Sequence, residues 1–202
     1  MIDTVIFDVG NVLTRFGWQD FIRSFGYSED ICKRVGDSTI ESRYWKEYDR
    51  GVMTNDEIVN LFVSLDKGVE EQIRETMKCF TGILTPADYA IPWIQELKRR
   101  GLRVLFLSNF SKRAYEECAD ALGFLEYVDG GIFSYEVKLI KPDPAIYRCL
   151  TDRYALTPSN CVFIDDLEDN VAAGAAAGFQ TILFEEYEQA RAELEQVLKH
   201  TE

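Results

Sequence analysis

Val5-Ile6-Phe7-Asp8-Val9-Gly10-Asn11-Val12-Leu13-Thr14 is the stretch on which the fold turns: an apolar run ends in an acid and passes directly into a glycine-containing turn. A short buried strand that delivers one carboxylate to such a turn presents a nucleophile beside backbone N–H groups able to hold an anion. Asp8 is therefore the first candidate for chemistry. Two residues later, where a second carboxylate would be well placed to donate a proton, the chain has Gly10.

Four later segments repeat the apolar run: Val104-Leu105-Phe106-Leu107, Gly131-Ile132-Phe133, Cys161-Val162-Phe163-Ile164 and Thr181-Ile182-Leu183-Phe184. All are apolar on both alternating faces, as strands of a parallel sheet covered on both sides must be. Helical patterns lie between them. Pro92 to Arg100 ends at Gly101; Tyr115, Cys118, Ala119 and Leu122 mark one face that ends at Gly123; and an alanine-rich stretch from Val171 stops at Gly178. Tyr187, Ala190, Leu194, Val197 and Leu198 mark a last amphipathic helix. The alternation predicts an α/β fold with a doubly wound, parallel, five-stranded, Rossmann-like sheet.

Residues 15–85 break that rhythm with helical periodicity and no convincing strand, so they read as an α-helical cap inserted into a core made of 1–14 and 86–202. Trp18, Phe21, Ile22 and Phe25 share one helical face, as do Ile58, Leu61, Phe62 and Leu65, and Thr54 with Glu57 makes a capping box. An insertion after the first strand lies above the carboxyl end of the sheet, where an open α/β sheet binds its ligand.

Composition narrows the chemistry. With 202 residues, 47% of them hydrophobic, the chain can bury a substantial core. A formal charge of -13 without a dense basic run argues against a nucleic-acid partner. No segment reaches the roughly 20 apolar residues of a membrane span and no basic region precedes the first apolar run, so a cytoplasmic protein is expected. Cys32, Cys79, Cys118, Cys149 and Cys161 are widely spaced with no C-x-x-C pair, and read as reduced core residues. His200 is the only histidine and lies near the end, which removes Ser-His-Asp, Cys-His and H-E-x-x-H chemistry. Carboxylate, lysine and hydroxyl remain.

Following the apolar runs are Asp8, then Ser108-Asn109, then Lys141, then Asp165-Asp166. Each alone suits a turn or a helix cap. In order and near strand ends, they make a site.

The pieces VIFDVGNVLT, LFLSN, LIKPDP and VFIDD resemble the haloacid dehalogenase-like hydrolase superfamily over nearly the whole chain. The first piece looks most like bacterial sugar-phosphate phosphatases of the α-glucose-1-phosphatase type. This resemblance implies a mobile helical cap at 15–85, Asp8 as nucleophile, Ser108 and Lys141 on the phosphoryl group, and Asp166 on magnesium with Asp165 close by. The implied function is Mg2+-dependent hydrolysis of a small phosphate monoester, a sugar phosphate, through an aspartyl phosphate on Asp8, with Lys141 as its catalytic partner. A hard cation takes oxygen ligands, which Asp8, Asp166, Asp165 and the Gly10 backbone carbonyl can supply. Gly10, Asn11, Asn109 and Arg15 complete the expected phosphate and substrate contacts.

Many phosphatases of the superfamily carry a second aspartate where this chain has Gly10, and general acid–base help is worth about 100 to 10,000-fold. The proton then has three possible sources: an acidic leaving alcohol such as an anomeric hydroxyl, the substrate's other hydroxyls, or a cap residue. Glu41, Tyr44, Trp45 and Tyr48 fall on or near one helical face of the cap, an arrangement that also suits packing. Asn11 and Thr14 suit ordering of the turn. Two alternatives stay open: a metal-independent 2-haloacid dehalogenase in which Asp8 attacks carbon, and a catalytically weak phosphate-binding protein. Asp165-Asp166 weighs against the first, since a metal-free site has little reason to gather so much negative charge.

Overall fold

The first apolar run forms β1 (Thr4–Phe7), and it occupies the centre of a parallel sheet. Two short strands, β2 (Thr14–Phe16) and β3 (Leu84–Pro86), stand apart from it. With β4 (Arg103–Ser108), β5 (Gly131–Phe133), β6 (Cys161–Asp165) and β7 (Gln180–Leu183), the sheet has the order β5-β4-β1-β6-β7. This is the five-stranded doubly wound sheet that the alternation predicts. The structure, a computed structural model, describes residues 1–199; His200 lies outside them.

Between β2 and β3 run α1 (Trp18–Arg23), α2 (Glu29–Ser38), α3 (Trp45–Arg50), α4 (Asn55–Leu65) and α5 (Glu70–Thr76). After β3 come α6 (Ala90–Arg99), α7 (Lys112–Glu117), α8 (Ser134–Val137), α9 (Pro144–Tyr154), α10 (Glu168–Ala176) and α11 (Tyr187–Lys199). Among the described residues no helix is long and apolar enough to cross a membrane.

Alternate strand residues supply two cores because successive side chains leave a strand on opposite faces. Val5, Phe7, Val104, Phe106, Val162 and Ile164 join one cluster, to which α6 and α11 contribute Trp93, Leu97 and Leu194. Ile6, Leu105, Leu107, Ile132 and Phe163 join the other, covered by Ile146, Tyr147 and Leu150 of α9. Phe7 meets Trp93 edge-on, with ring centroids 4.8 Å apart. The alanine-rich run lets α10 lie close on β6: a Cβ at Gly174 would come within 2.7 Å of the Phe163 ring.

The insertion packs on the first of these cores through Phe21, Ile58, Phe62 and Phe80. Its predicted capping box is present, with Thr54 and Glu57 exchanging side-chain and backbone hydrogen bonds. Leu65 departs from the expected apolar face and is 44% exposed, while Val63 is buried.

Three further expectations need correction. The 15–85 segment is not free of strands: β2 and β3 pair antiparallel, Arg15 opposite Thr85, across both predicted boundaries. Strands of three residues are too short to show a period of two. The face expected from Tyr115 to Leu122 is broken at Cys118 (φ -112, ψ 30), after which the chain continues as 3-10 turns. Tertiary contacts fix the break, since Glu117 accepts from the Phe80 amide at 2.6 Å and Cys118 Sγ donates to the Phe80 carbonyl at 3.2 Å. The five thiols are free, but only Cys32, Cys118 and Cys161 are buried; Cys149 is half-buried and Cys79 exposed.

Candidate active site

Asp8 and Asp165 meet because β1 and β6 pair in register, Phe7 beside Ile164, so both strands release their acids at the same edge. The Asp8 amide donates to the Ile164 carbonyl at 2.8 Å and carries the pairing one residue further. Lys141, only 1% exposed, inserts its ammonium between the acids. Its Nζ lies 2.8 Å from Asp8 Oδ1 and donates to Asp165 Oδ2 at 2.6 Å. Asn109, just past β4, fixes the lysine's backbone: its Nδ2 donates to the Lys141 carbonyl at 2.9 Å and its Oδ1 accepts from the Lys141 amide at 2.7 Å.

Burial pushes the Asp8 carboxyl up to about 7; Lys141 pulls against that shift, and Asp165 and Asp166 add to it. For Lys141, burial opposes the charge, but Asp8 and Asp165 overcome it and hold the ammonium above its usual range. Burial likewise raises Asp166, against the pull of its hydrogen bond from Asn11.

Asp165 has the fewest free oxygens. Its Oδ1 accepts from the Leu167 amide and from Asn170 Nδ2, each at 2.9 Å, while Oδ2 holds Lys141. Asp165, expected from the sequence beside a metal, thus also braces Lys141 against the start of α10. Asp166 faces the cavity instead, with Oδ2 accepting from Asn11 Nδ2 at 3.0 Å. One carboxylate oxygen from each of Asp8, Asp165 and Asp166 lies within 4.8 Å of the others.

In the turn after β1 the left-handed residue is Asn11 (φ 58), not Gly10. Its short amide side chain tolerates that conformation and spans the turn, accepting from the Phe16 amide at 3.2 Å while it holds Asp166. Asn11, an expected phosphate contact, thus also positions Asp166. Gly10 has no positive φ, and a Cβ there would meet nothing within 4 Å. Its backbone does not require glycine. Gly10→Asp is expected to keep the fold within about 1 kcal/mol, a shift of roughly 2–4 °C in melting temperature by calorimetry.

Above these residues opens a cavity of about 390 Å³. Its floor is Asp8, Gly10, Asn11, Asn109, Lys141 and Asp166; its walls include Phe16, Ile40, Trp45, Phe80, Leu84 and Phe110. The walls join residues on or beside β2 and β3 with the insertion. A space of this size, mostly apolar with a few convergent polar groups, is the usual form of a small-ligand site.

Two predicted contacts are not among the residues lining that cavity. Ser108 is buried at the end of β4. Arg15 lies beside a different cavity of about 580 Å³, bounded by Thr85, Tyr89 and Glu186, that shares only Asn11 with the first. Pairing of β2 with β3 fixes the strand in which Arg15 sits, and no spacing rule could reveal that.

Among the cap residues considered as proton relays, Trp45 lines the Asp8 cavity and the others do not. Tyr48 packs between Phe62 and Phe80, Tyr44 accepts from Arg43, and Glu41 belongs to a separate cavity with Trp18 and Lys33. The residue missed is Asp49, which is only 9% exposed and lines the Asp8 cavity from α3. Its place four residues after Trp45, hence on the same helical side, was the available signal. Burial, followed by the Asp8 charge, pushes its carboxyl up to about 8.

Residues 2–178 match the family model of haloacid dehalogenase-like hydrolases. The chain is similar to a phosphatase of Mycobacterium tuberculosis, 27% identical over 206 residues covering 94% of this chain and 90% of that protein. It is also similar to a D-ribitol-5-phosphate phosphatase of Bacteroides thetaiotaomicron, 26% identical over 208 residues covering 98% and 99%. In fold it matches a crystal structure of a HAD-family enzyme of Bacteroides thetaiotaomicron in complex with magnesium and inorganic phosphate. There the TM-score is 0.69 over 93% of this chain and 98% of that one, at 21% identity.

Proposed function

The chain belongs to the haloacid dehalogenase-like hydrolase family, and within it we propose a Mg2+-dependent phosphatase of small phosphate monoesters, sugar phosphates foremost, that works through an aspartyl phosphate on Asp8. The observation that carries this reading is the buried Asp8–Lys141–Asp165 arrangement on the floor of a ligand-sized cavity. A carboxylate in that position is a nucleophile with nowhere to attack but into the cavity. The neighbouring ammonium offsets the repulsion between it and an incoming phosphate dianion.

The acids fit a hard divalent cation. Their donor atoms are all oxygen, and three carboxylates lie around one lysine charge. Asp8, Asp166 and the Gly10 carbonyl would hold Mg2+, with Asp165 committed to Lys141. When bound, the ion neutralises charge on the phosphoryl oxygens.

The chain's own residues supply the rest of the mechanism. Asn109 and Asp165 fix Lys141, Asn11 fixes Asp166, and Lys141 holds a phosphoryl oxygen while Asp8 attacks phosphorus in line with the leaving alcohol. Water then hydrolyses the aspartyl phosphate. The segment 15–85 acts as the cap, excluding bulk water and seating the organic part of the ester against Phe16, Trp45, Phe80 and Phe110. A sugar phosphate is favoured by the D-ribitol-5-phosphate phosphatase relative and by a cavity that combines aromatic walls with Lys46 and Asn109.

The test is a panel of sugar and alkyl phosphates assayed for inorganic phosphate. Turnover is expected in Mg2+, lost in chelator and restored by added Mg2+. Phosphate release from none of the esters overturns the reading, as does a rate indifferent to chelator, the behaviour expected of a dehalogenase-type site.

A further inference from the structure

We propose that Asp49 is the proton donor that position 10 does not provide: its carboxyl protonates the leaving oxygen and then takes a proton from the attacking water. This rests on the phosphatase reading above and assigns the residue that completes it.

Geometry is the first support. In-line displacement places the leaving oxygen on the side of phosphorus opposite the nucleophile. Asp8 comes from the sheet, so that oxygen points toward the insertion, and Asp49 is the carboxyl that the insertion contributes to the cavity. Its position is built rather than incidental. Ser134 Oγ, buried in the core, donates to the Asp49 carbonyl at 2.6 Å, and Lys138 Nζ donates to the Gly51 carbonyl at 2.6 Å. Two hydrogen bonds from α8 and the residue after it thus tie the end of α3 down over the sheet.

The second support is energetic. A buried carboxyl is normally hydrogen-bonded or paired with a cation, because leaving it unpaired is costly. Among the described residues none donates to the Asp49 carboxyl and no cation pairs with it; the charge acting on it is that of Asp8. Such a group favours its neutral form. A carboxyl held up to about 8 keeps its proton near neutrality, as a general acid requires. Among the other acidic, basic and hydroxyl groups of the cavity, Asp166 is engaged with Asn11, Lys141 with Asp8 and Asp165, and Ser111 with the Ala114 amide, while Lys46, a cation, cannot stand in for a neutral carboxyl acid.

The steps balance. In the first, a bond forms between Asp8 Oδ and phosphorus, the ester P–O bond breaks with its electron pair going to the alcohol oxygen, and Asp49 gives that oxygen its proton. In the second, water oxygen bonds to phosphorus and the Asp8–phosphorus bond returns its pair to the carboxylate. The water proton goes to Asp49, and both acids are restored.

Asp49→Asn tests this with two esters in Mg2+, one a sugar or alkyl phosphate and one a nitrophenyl phosphate whose phenolate leaves without a proton. Expected for the variant is a loss of about 100-fold or more in kcat on the alkyl or sugar ester. With the aryl ester, a burst of nitrophenolate should form at the parent's rate and be followed by a slow steady state, because phosphoenzyme accumulates without its base. Asp49→Ser, read the same way and checked by circular dichroism, guards against misfolding of the first variant. An equal loss in the phosphorylation step on both esters overturns the assignment, as does an unchanged kcat on the alkyl ester. A parent protein that releases phosphate from no ester instead overturns the phosphatase reading.

Discussion

Asp8→Asn is expected to remove turnover on every phosphate ester, by at least about 10,000-fold, because the amide cannot form the phosphoenzyme. The loss should come without unfolding. Asparagine has the same shape, and Lys141 keeps its hydrogen bond to Asp165. The parent carboxyl is also costly to ionise where it sits. Its folded pKa of about 7 lies above the usual carboxylate range, so the folded state holds the proton more tightly than the unfolded chain. Parent stability on that account falls as pH rises between roughly 4 and 7 and stays lowered above that. The asparagine variant has no such proton to release. Its melting temperature relative to the parent should therefore rise across the same interval, and a pH series of thermal melts in chelator checks it. A variant that still turns over alkyl phosphates at a tenth of the parent rate would exclude Asp8 as nucleophile.

Lys141→Met is expected to damage stability and activity together. The ammonium is buried between Asp8 Oδ1 at 2.8 Å and Asp165 Oδ2 at 2.6 Å. Methionine leaves two buried carboxylates facing each other, and removing one partner from a buried ionic cluster typically costs about 3–5 kcal/mol. For a chain of this size that corresponds to a fall of roughly 10 °C in melting temperature. The deficit should shrink at acid pH, where the stranded carboxylates take up protons, and be largest above neutrality. Turnover should fall by about 1,000-fold or more, because the same charge draws in the phosphoryl group. Chemical denaturation at pH 5 and pH 8 separates the two effects; equal stability of variant and parent at pH 8 would contradict this account of the cluster.

Much of the site was legible in the chain because strand ends in a parallel sheet converge. Asp8, Asn109, Lys141 and Asp166 each follow an apolar run, or stand just before Pro142 and the next helix, and all line the cavity floor. What those side chains do was less legible. Asn109 and Asn11 look in sequence like phosphate contacts; they line the cavity, and their amides also hold Lys141 and Asp166. Asp165 reads in sequence as an acid beside a metal, and in the structure it also braces Lys141 and the start of α10. Hydrogen-bond partners 24, 32 or 155 residues away have no local signature. Arg15 and Ser108 follow the same motifs but are not among the residues lining that cavity.

Residue patterns along the chain specify the sheet, its parallel sense, the helical insertion and the carboxylate–lysine cluster at its edge, because apolar period and strand-end residues are local properties that burial enforces on any fold of this kind. Where the insertion docks depends on contacts between distant segments. The bond from Ser134 to the Asp49 carbonyl and the β2–β3 pairing join segments far apart in the chain. Through them a carboxyl from a six-residue helix lines the Asp8 cavity. Gly10 marks the absence of an acid in sequence, and only docking in three dimensions brings another acid to the same cavity.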